Sequence, residues 1–329
     1  MLTRAIWDGA TIPALGMGCW AIGGPWTAGG APAGWGQVDD AESIRAIHAA
    51  VEAGIRFFDT AQTYGAGHSE SVLGQALRDR PDVCIATKVG YAIDPAKREL
   101  TGADATPAAI IASLEASLRR LGRDKVDLVL LHLNALDIPT AETVFAALST
   151  LRDAGKVGAF GWSTDFPDRA QAYAVMPGMV AIEHAMNVFF RADALIPVIE
   201  AHGLLSINRS PLAMGVLGGA PRVFATNDLR SRTVSWMDYY KDGAIAPDYA
   251  TRLNAVRDLL QTDGRTLSQG AIAWLWARSA QTLPIPGFRT VQQVTDLAGA
   301  LEKGALSAAT MAEIEAVIMR APEGPPRER

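Results

Sequence analysis

Residues 106–132, TPAAIIASLEASLRRLGRDKVDLVLLH, contain one complete copy of the unit from which the fold is built. Thr106-Pro107 predicts the start of a helix, because proline is favoured at the first helical position. Apolar residues then recur at helical spacing as far as Leu121. The strand that follows, VDLVLLH, is almost continuously apolar, as expected of a strand buried on both faces, and it ends on a polar residue.

The same order of amphipathic helix, glycine, apolar strand and polar residue recurs along the chain. Eight strands are predicted, namely ALGMG (14–18), IRFF (55–58), VCIAT (83–87), VDLVLL (126–131), VGAFGW (157–162), MVAIE (179–183), LLSI (204–207) and TLPI (282–285). Alternation of strand and helix predicts a parallel sheet in an α/β protein. Eight such units in about 300 residues favour a closed (β/α)8 TIM barrel, with an open doubly wound sheet as the alternative.

Segments outside this repeat complete the predicted architecture. Residues 1–13, with an Asp-Gly turn, are interpreted as an N-terminal β-hairpin that covers the bottom of the barrel. Residues 213–248 are glycine-rich and form a long irregular loop. An extra C-terminal helix near 308–319 precedes a polar tail over 320–329.

Composition and charge exclude several classes of protein. The 329 residues are 49% hydrophobic and 20% charged, which rules out a disordered, collagenous or coiled-coil chain. A net charge of −5 without a basic run argues against nucleic acid as a partner. The absence of an apolar run of about 18 residues argues against a membrane span.

The same data predict the location and the domain organisation. The N-terminus lacks the apolar stretch of a signal peptide. Cys19 and Cys84 both lie in apolar company, which argues against a disulfide framework. We therefore expect a cytoplasmic protein whose residues 1–329 form a single domain, because no change of composition marks a linker. The oligomeric state stays open.

Four ionisable residues lie where three neighbouring strands end. Asp59 ends the second strand and Tyr64 lies in the loop after it, whereas Lys88 and His132 end the third and fourth strands. Since catalytic groups of such barrels gather at the carboxyl ends of the strands, we expect these side chains to converge. Each of them could instead have a purely structural role. Asp59 would then cap a turn, Tyr64 would pack within its loop, Lys88 would extend to solvent at the rim, and His132 would be a hydrogen-bonded histidine of the core. Their combination favours an active site.

The chemistry that this set permits is general acid catalysis on a carbonyl group. A tyrosine has an unperturbed pKa near 10, and a buried Lys88 ammonium is expected to lower the pKa of Tyr64. Asp59 would neutralise and hold Lys88, and a neutral His132 would orient the substrate oxygen or relay a proton. A Schiff-base aldolase with Lys88 as nucleophile is a competing interpretation.

Two other patterns are assigned no separate site. Residues 16–21, GMGCWA, fit the loose glycine pattern of a dinucleotide-binding loop, but the sequence that follows cannot form the helix which that motif requires. We interpret them as a tight turn that lets the backbone approach a cofactor or substrate. His48, His184 and His202 lack metal-ligand spacing, so no metal site is predicted.

Aromatic residues are concentrated in two loops at the predicted mouth of the barrel. Such residues line a substrate pocket or pack within their loops. They are Trp20, Trp26, Trp35, Trp236, Tyr239 and Tyr240.

The motifs around these residues resemble those of the aldo-keto reductase family over about residues 14–301. The matching segments are LGMGCW (15–20), FFDTAQTYGAGHSE (57–70), IATK (85–88), SLRRLGRDKVDLVLLH (117–132), SPL (210–212) and LPIPGFR (283–289). The resemblance implies an NADPH-dependent reductase of aldehydes or ketones on a (β/α)8 barrel. It further implies that Tyr64 is the general acid, aided by Asp59, Lys88 and His132.

The resemblance also implies a cofactor site, with three departures around the nicotinamide ring. Thr164 replaces an asparagine, Glu183 replaces a glutamine, and Arg209 replaces a stacking aromatic residue. Arg289 matches the position that pairs with the 2′-phosphate of NADP, which suits bidentate arginine, whereas Asp296-Leu297 replaces a Glu-Asn pair that contacts adenine. The implied cofactor-binding residues are Gly18, Trp20, Asp59, Ser163, Glu183, Arg209, Ser210, Pro211, Leu212, Gly287, Arg289 and Gln293.

Several functional alternatives stay open within this resemblance. The same residues would catalyse alcohol oxidation as well as carbonyl reduction, and NAD(H) is an alternative cofactor. A regulatory subunit that binds the cofactor and turns over slowly, as channel β-subunits of the family do, is the main competing hypothesis. The expected partner is a small carbonyl or alcohol substrate.

Overall fold

The computed structural model describes residues 1–218, 224, 226–232, 234 and 237–326. The strands, numbered along the chain, are β1 (Thr3–Ala5), β2 (Thr11–Pro13), β3 (Met17–Gly18), β4 (Thr27–Ala28), β5 (Ala31–Pro32), β6 (Phe57–Asp59), β7 (Cys84–Val89), β8 (Tyr91–Asp94), β9 (Glu99–Ala103), β10 (Val126–Leu131), β11 (Val157–Ser163), β12 (Met179–Ala185), β13 (Leu205–Arg209), β14 (Tyr240–Lys241), β15 (Ala244–Ile245) and β16 (Thr282–Pro284). The α-helices are α1 (Asp40–Glu52), α2 (His68–Ala76), α3 (Pro107–Leu121), α4 (Ile138–Asp153), α5 (Pro167–Tyr173), α6 (Ile196–Ala201), α7 (Pro247–Leu260), α8 (Leu267–Arg278), α9 (Val291–Ala298), α10 (Ala300–Lys303) and α11 (Ala308–Val317).

Eight strands form one parallel sheet whose spatial order follows the chain, from β3 through β6, β7, β10, β11, β12 and β13 to β16. Backbone hydrogen bonds then join the last strand to the first, from Gly16 N to Pro284 O at 2.9 Å and from Gly18 N to Pro286 O at 3.0 Å. A doubly wound sheet would reverse its strand order and leave two open edges. The predicted (β/α)8 barrel is therefore confirmed, and the open-sheet alternative is wrong.

The N-terminal hairpin covers the bottom of this barrel, as predicted. Strands β1 and β2 pair antiparallel, and Gly9 takes a φ of 84° in the turn between them. Ile12 is buried with Phe57, Leu205 and other residues at the amino ends of the barrel strands. The Arg4 guanidinium fixes the hairpin to β16 by donating from Nε to the Thr282 carbonyl oxygen at 2.8 Å.

Helices cover the outside of the barrel, and capping residues explain where α1 and α3 begin. Thr106 accepts a hydrogen bond from Ala109 N at the start of α3, and Asp39 accepts from Ala41 N and Glu42 N at the start of α1. The C-terminal helix α11 is present and buries Ile314. Among the described helices, none has the length and hydropathy needed to span a membrane.

Some elements differ from the prediction. The short helix α5 was not predicted, because only Ala170 of its seven residues is buried and no apolar stripe marks it. The sequence pattern favours one helix near 192–201 and one near 290–301, but in the structure α6 begins only at Ile196, and the second segment is two helices, α9 and α10, that meet at Gly299. Trp236 and the tail residues 327–329 lie outside the described residues.

A second, four-stranded sheet lies at the mouth of the barrel and was also not predicted. It has the order β5-β4-β9-β8, so that the loop after the first barrel strand pairs with the loop after the third. Thr27 lies opposite Glu99, and Thr27 N donates to the Arg98 carbonyl oxygen at 3.0 Å. We call this sheet the mouth sheet.

Candidate active site

The barrel strands present polar side chains inward at their carboxyl ends. Because side chains alternate between the two faces of a strand, the residue two positions after an inward apolar residue also points inward. Phe57, Ala86, Leu130 and Ile207 are such apolar residues in the barrel interior. The inward residues of the last layer on six neighbouring strands are Asp59, Lys88, His132, Ser163, Glu183 and Arg209.

The Lys88 ammonium lies at the centre of this layer. Its Nζ donates to both carboxylate oxygens of Asp59 at 2.6 Å, to the Thr60 carbonyl oxygen at 3.1 Å and to the Tyr64 hydroxyl at 3.2 Å. Glu183 completes the group, with its Oε2 3.2 Å from the same nitrogen. The structure thus brings Asp59, Tyr64 and Lys88 together as predicted and adds a second carboxylate.

The pKa of Tyr64 differs in direction from the expectation. Burial raises the pKa of the phenol well above its usual value, and Asp59 and Glu183 raise it further, while Lys88 alone acts to lower it. The prediction that Lys88 would lower the pKa of Tyr64 overall is therefore wrong, because desolvation and two carboxylates outweigh one ammonium. Tyr64 is a neutral phenol that keeps its proton at neutral pH.

The other ionisable groups are consistent with this arrangement. Although burial alone would lower it, the pKa of Lys88 is raised overall by Asp59 and Glu183, so the side chain stays an ammonium. Burial and the neighbouring Glu183 raise the pKa of Asp59, against the effect of Lys88. A Schiff base requires a neutral amine, so this environment argues against an aldolase that uses Lys88.

His132 lies beside the tyrosine as a neutral ring. Burial, with the nearby Lys88, lowers the pKa of His132 well below its usual value. Its ring meets those of Tyr64 and Tyr91 edge to face, with centroids 6.1 Å and 5.4 Å away. The buried Nδ1 has no hydrogen-bond partner among the described residues. Trp20 stacks on the Tyr64 ring, at a centroid distance of 5.9 Å.

Thr164, Glu183 and Arg209, which depart from the family pattern near the implied nicotinamide position, differ in their hydrogen-bond partners. Ser163 donates to Glu183 at 3.1 Å, so these two side chains form one unit beside Lys88. Arg209 donates to Asp165 at 2.6 Å. Thr164 instead donates to the Asn134 carbonyl oxygen at 2.7 Å and is fully buried, so it fixes the loop after β10.

The remaining implied cofactor residues border the same cleft. Ser210, followed by Pro211 and Leu212, has a φ of 53°, a conformation that is strained for a residue with a side chain. Arg289 donates to the carbonyl oxygens of Trp35 and Gln37, which lie in the first loop. Gln293 accepts from Arg289 N at 2.8 Å at the start of α9.

A cavity of about 940 Å³ runs from the barrel mouth to α9, and Tyr64, Glu183, Arg209 and Arg289 are among the residues that line it. This volume is at the upper end of the range for ligand cavities. The Nε and Nη1 atoms of Arg209, which lines the cavity, have no hydrogen-bond partner among the described residues. A cavity of this size beside a neutral phenol, an ammonium and unpartnered donors fits a large polar cofactor together with a small substrate.

Four residues that contribute to the site were not predicted from the sequence. Asn134 and Tyr91 line the cavity, and Asp165 pairs with Arg209. Glu42 accepts from Val291 N at 2.9 Å, at the first turn of α9. Asn134 lies two residues after His132 in the same loop, which is a signal that could have found it. The others depend on contacts between distant segments.

Among the described residues, no group of three or more histidine, cysteine or acidic side chains could hold a metal ion. The buried His184 instead contacts Ser206 at 2.7 Å and the Ala185 carbonyl oxygen at 3.1 Å. This ring is a hydrogen-bonded part of the barrel interior.

Comparison with known proteins gives results that agree with this geometry. A family model described as the aldo/keto reductase family matches residues 14–319. A probable voltage-gated potassium channel subunit beta from Oryza sativa subsp. japonica is 28% identical, over 96% of this chain and 96% of that protein.

Two solved structures resemble the chain over nearly its whole length. A glycerol dehydrogenase from Gluconobacter oxydans is 27% identical with a TM-score of 0.80, over 98% of both chains. An aldo/keto reductase from Klebsiella pneumoniae, solved in complex with NADP and acetate, is 25% identical with a TM-score of 0.71, over 98% of this chain and 97% of that one. With the family model matching nearly the whole barrel, the chain belongs to the aldo/keto reductase family and is an oxidoreductase that acts on carbonyl or hydroxyl groups with a nicotinamide cofactor.

Proposed function

We propose that Tyr64 is the proton donor of an NADP(H)-dependent reductase of small aldehydes or ketones. The observation that carries this proposal is the contact between the Tyr64 hydroxyl and Lys88 Nζ at 3.2 Å, on the wall of the cavity. When bound, the cofactor supplies the hydride. Tyr64 gives its proton to the substrate oxygen as that oxygen gains charge, and the Lys88 ammonium stabilises the phenolate that is left.

The other residues position these two groups. Asp59 accepts two hydrogen bonds from Lys88 and fixes its direction toward Tyr64. His132 is a neutral ring that lines the cavity, so it can hydrogen-bond the substrate oxygen. In the reverse direction Tyr64 as a phenolate would accept the proton of an alcohol, which the likeness to a glycerol dehydrogenase supports.

The proposed cofactor site extends along the cavity. Ser163 and Glu183 would contact the nicotinamide end, and Gly18, Trp20, Arg209 and the segment 210–212 would form its walls. Gly287, Arg289 and Gln293 would hold the other end, with Arg289 on the 2′-phosphate of NADP(H).

The decisive experiment is NADPH-dependent reduction of a panel of small aldehydes, followed by the absorbance of the reduced nicotinamide. Tyr64→Phe should lower kcat by about 10²- to 10⁴-fold while NADPH still binds, because only the proton donor is removed. Tyr91→Phe removes a hydroxyl from another tyrosine of the same cavity and should cost far less. Equal losses in both variants, or none in Tyr64→Phe, would refute the role of Tyr64.

A slowly turning regulatory subunit is the second candidate, because the match to the rice channel subunit covers 96% of both proteins. Cofactor binding without turnover on any substrate of the panel, together with a tightly bound protein partner, would favour it. The complete set of Asp59, Tyr64, Lys88 and His132 favours an enzyme.

We further propose that the protein acts in the cytoplasm as one domain on a small-molecule substrate. Its two cysteines, Cys19 and Cys84, are free thiols and buried, which fits a reducing compartment. The net charge of −5 fits the expectation of no nucleic-acid partner.

A further inference from the structure

Two buried carboxylates share one ammonium at the inner end of the cavity. Lys88 Nζ lies 2.6 Å from Asp59 and 3.2 Å from Glu183 Oε2. All three side chains are nearly inaccessible to water, with exposures of 0%, 3% and 2% for Lys88, Asp59 and Glu183. Ser163 donates to the other oxygen of Glu183 at 3.1 Å and so fixes the orientation of the carboxyl group.

The guanidinium of Arg209 does not neutralise the second carboxylate, that of Glu183. Arg209, on the adjacent strand, donates to the Asp165 carboxylate at 2.6 Å, and these two charges compensate one another. His132 is neutral because burial and Lys88 lower its pKa. Because Lys88 already pairs with Asp59, the carboxylate of Glu183 makes this group more negative by one charge than a neutral side chain at the same position would. Such a charge in a buried site attracts a cation strongly.

We propose that Glu183 makes this site favour the oxidised, positively charged nicotinamide ring over the reduced, neutral ring. The inference rests on the proposed function, in which the cavity holds a nicotinamide cofactor beside Tyr64. Hydride donation turns the neutral ring into a cation, so a carboxylate near the ring stabilises the product of that step. Glu183 also increases the affinity for the spent cofactor, which makes its release slower.

The test compares the two redox forms of the cofactor in the wild type and in Glu183→Gln. The glutamine keeps the size of the side chain and an oxygen that can accept from Ser163, but it removes the charge. Dissociation constants for NADP⁺ and NADPH are measured by calorimetry on each protein. The wild type should bind NADP⁺ at least as tightly as NADPH. In Glu183→Gln the ratio of the NADP⁺ to the NADPH constant should rise by about tenfold or more, which corresponds to about 1.4 kcal/mol.

A fragment without the nicotinamide provides the control. Adenosine 2′,5′-bisphosphate contains the phosphate-bearing end of the cofactor only, so its affinity should be equal in the two proteins. Glu183→Ala gives the same comparison if the glutamine variant does not fold. A wild type that prefers NADPH tenfold, or a ratio that neither variant changes, overturns the role of Glu183. Failure of the wild type to bind either cofactor would instead overturn the proposed function.

Discussion

Gly18 and Gly287 face each other where the barrel closes, and an alanine should be tolerated at only one of them. Their backbones form the bridge between the first strand and the segment that follows the last one. A Cβ on Gly18 would lie 2.7 Å from the carbonyl oxygen of Ile285, a distance that requires the backbone to move. A Cβ on Gly287 would meet nothing nearer than the Gly18 oxygen at 3.9 Å, an ordinary contact.

The size of the effect follows from this difference. Forcing an extra carbon into a packed site costs about 1–3 kcal/mol, and here the obstructing atom belongs to the backbone of the closing segment. The entropy of unfolding is about 2.1 cal/mol/K per residue, or roughly 0.7 kcal/mol/K for this chain. Gly18→Ala should therefore lower Tm by about 1.5–4 °C. Gly287→Ala should change the free energy of unfolding by no more than about 0.5 kcal/mol.

The assay is thermal unfolding by calorimetry and circular dichroism, without cofactor, so that altered ligand binding does not enter. Urea unfolding of both variants provides an independent free energy. If the two variants lose the same stability, or Gly287→Ala loses more, the closing contact between Gly18 and Ile285 does not have the geometry described above.

Two further predictions concern the cofactor and the proton. Arg289→Ala should weaken NADPH binding by about 10- to 100-fold and NADH binding much less, because only NADPH offers a 2′-phosphate to the guanidinium. Equal weakening of the two cofactors in parallel titrations would show that Arg289 acts by holding the first loop, through the carbonyl oxygens of Trp35 and Gln37, and not by binding the phosphate. Between about pH 6 and pH 9 the reduction rate should be flat and the rate of alcohol oxidation should rise about tenfold per pH unit. The reason is that burial raises the pKa of Tyr64: reduction uses the phenol, which is fully present below that pKa, and oxidation uses the scarce phenolate. Steady-state rates in both directions test this, and an oxidation rate that does not change with pH would contradict it.

The barrel and most of the inward polar residues could be predicted because both depend on local periodicity. A buried parallel strand has an apolar run, and the residue at its carboxyl end, such as Asp59 or Lys88, can be read directly from the sequence. Motif resemblance then added Ser163, Glu183 and Arg209, all of which the structure places on the last layer of neighbouring strands.

Other features depend on contacts that no local pattern encodes. The mouth sheet includes strands of only two residues, β4 and β5, and β4 pairs with β9 from a distant loop. The direction of the pKa shift of Tyr64 depends on the degree of burial and on Glu183, which belongs to a different strand from Lys88. The effect of Lys88 alone would lower the pKa of Tyr64, whereas burial and the two carboxylates raise it overall.

The mouth sheet has a consequence for protein engineering and for evolution. Since β4 and β9 share backbone hydrogen bonds, the first and third barrel loops form one structural unit, although a long stretch of chain separates them. Ala28 and Leu100, from its two halves, both border the cavity. A graft that replaces only one loop would leave an unpaired strand edge, whereas exchanging the segments 24–38 and 91–103 together would transfer a complete substrate-facing wall. Recombination between homologues should accordingly succeed best when its crossover points keep these two segments from the same parent.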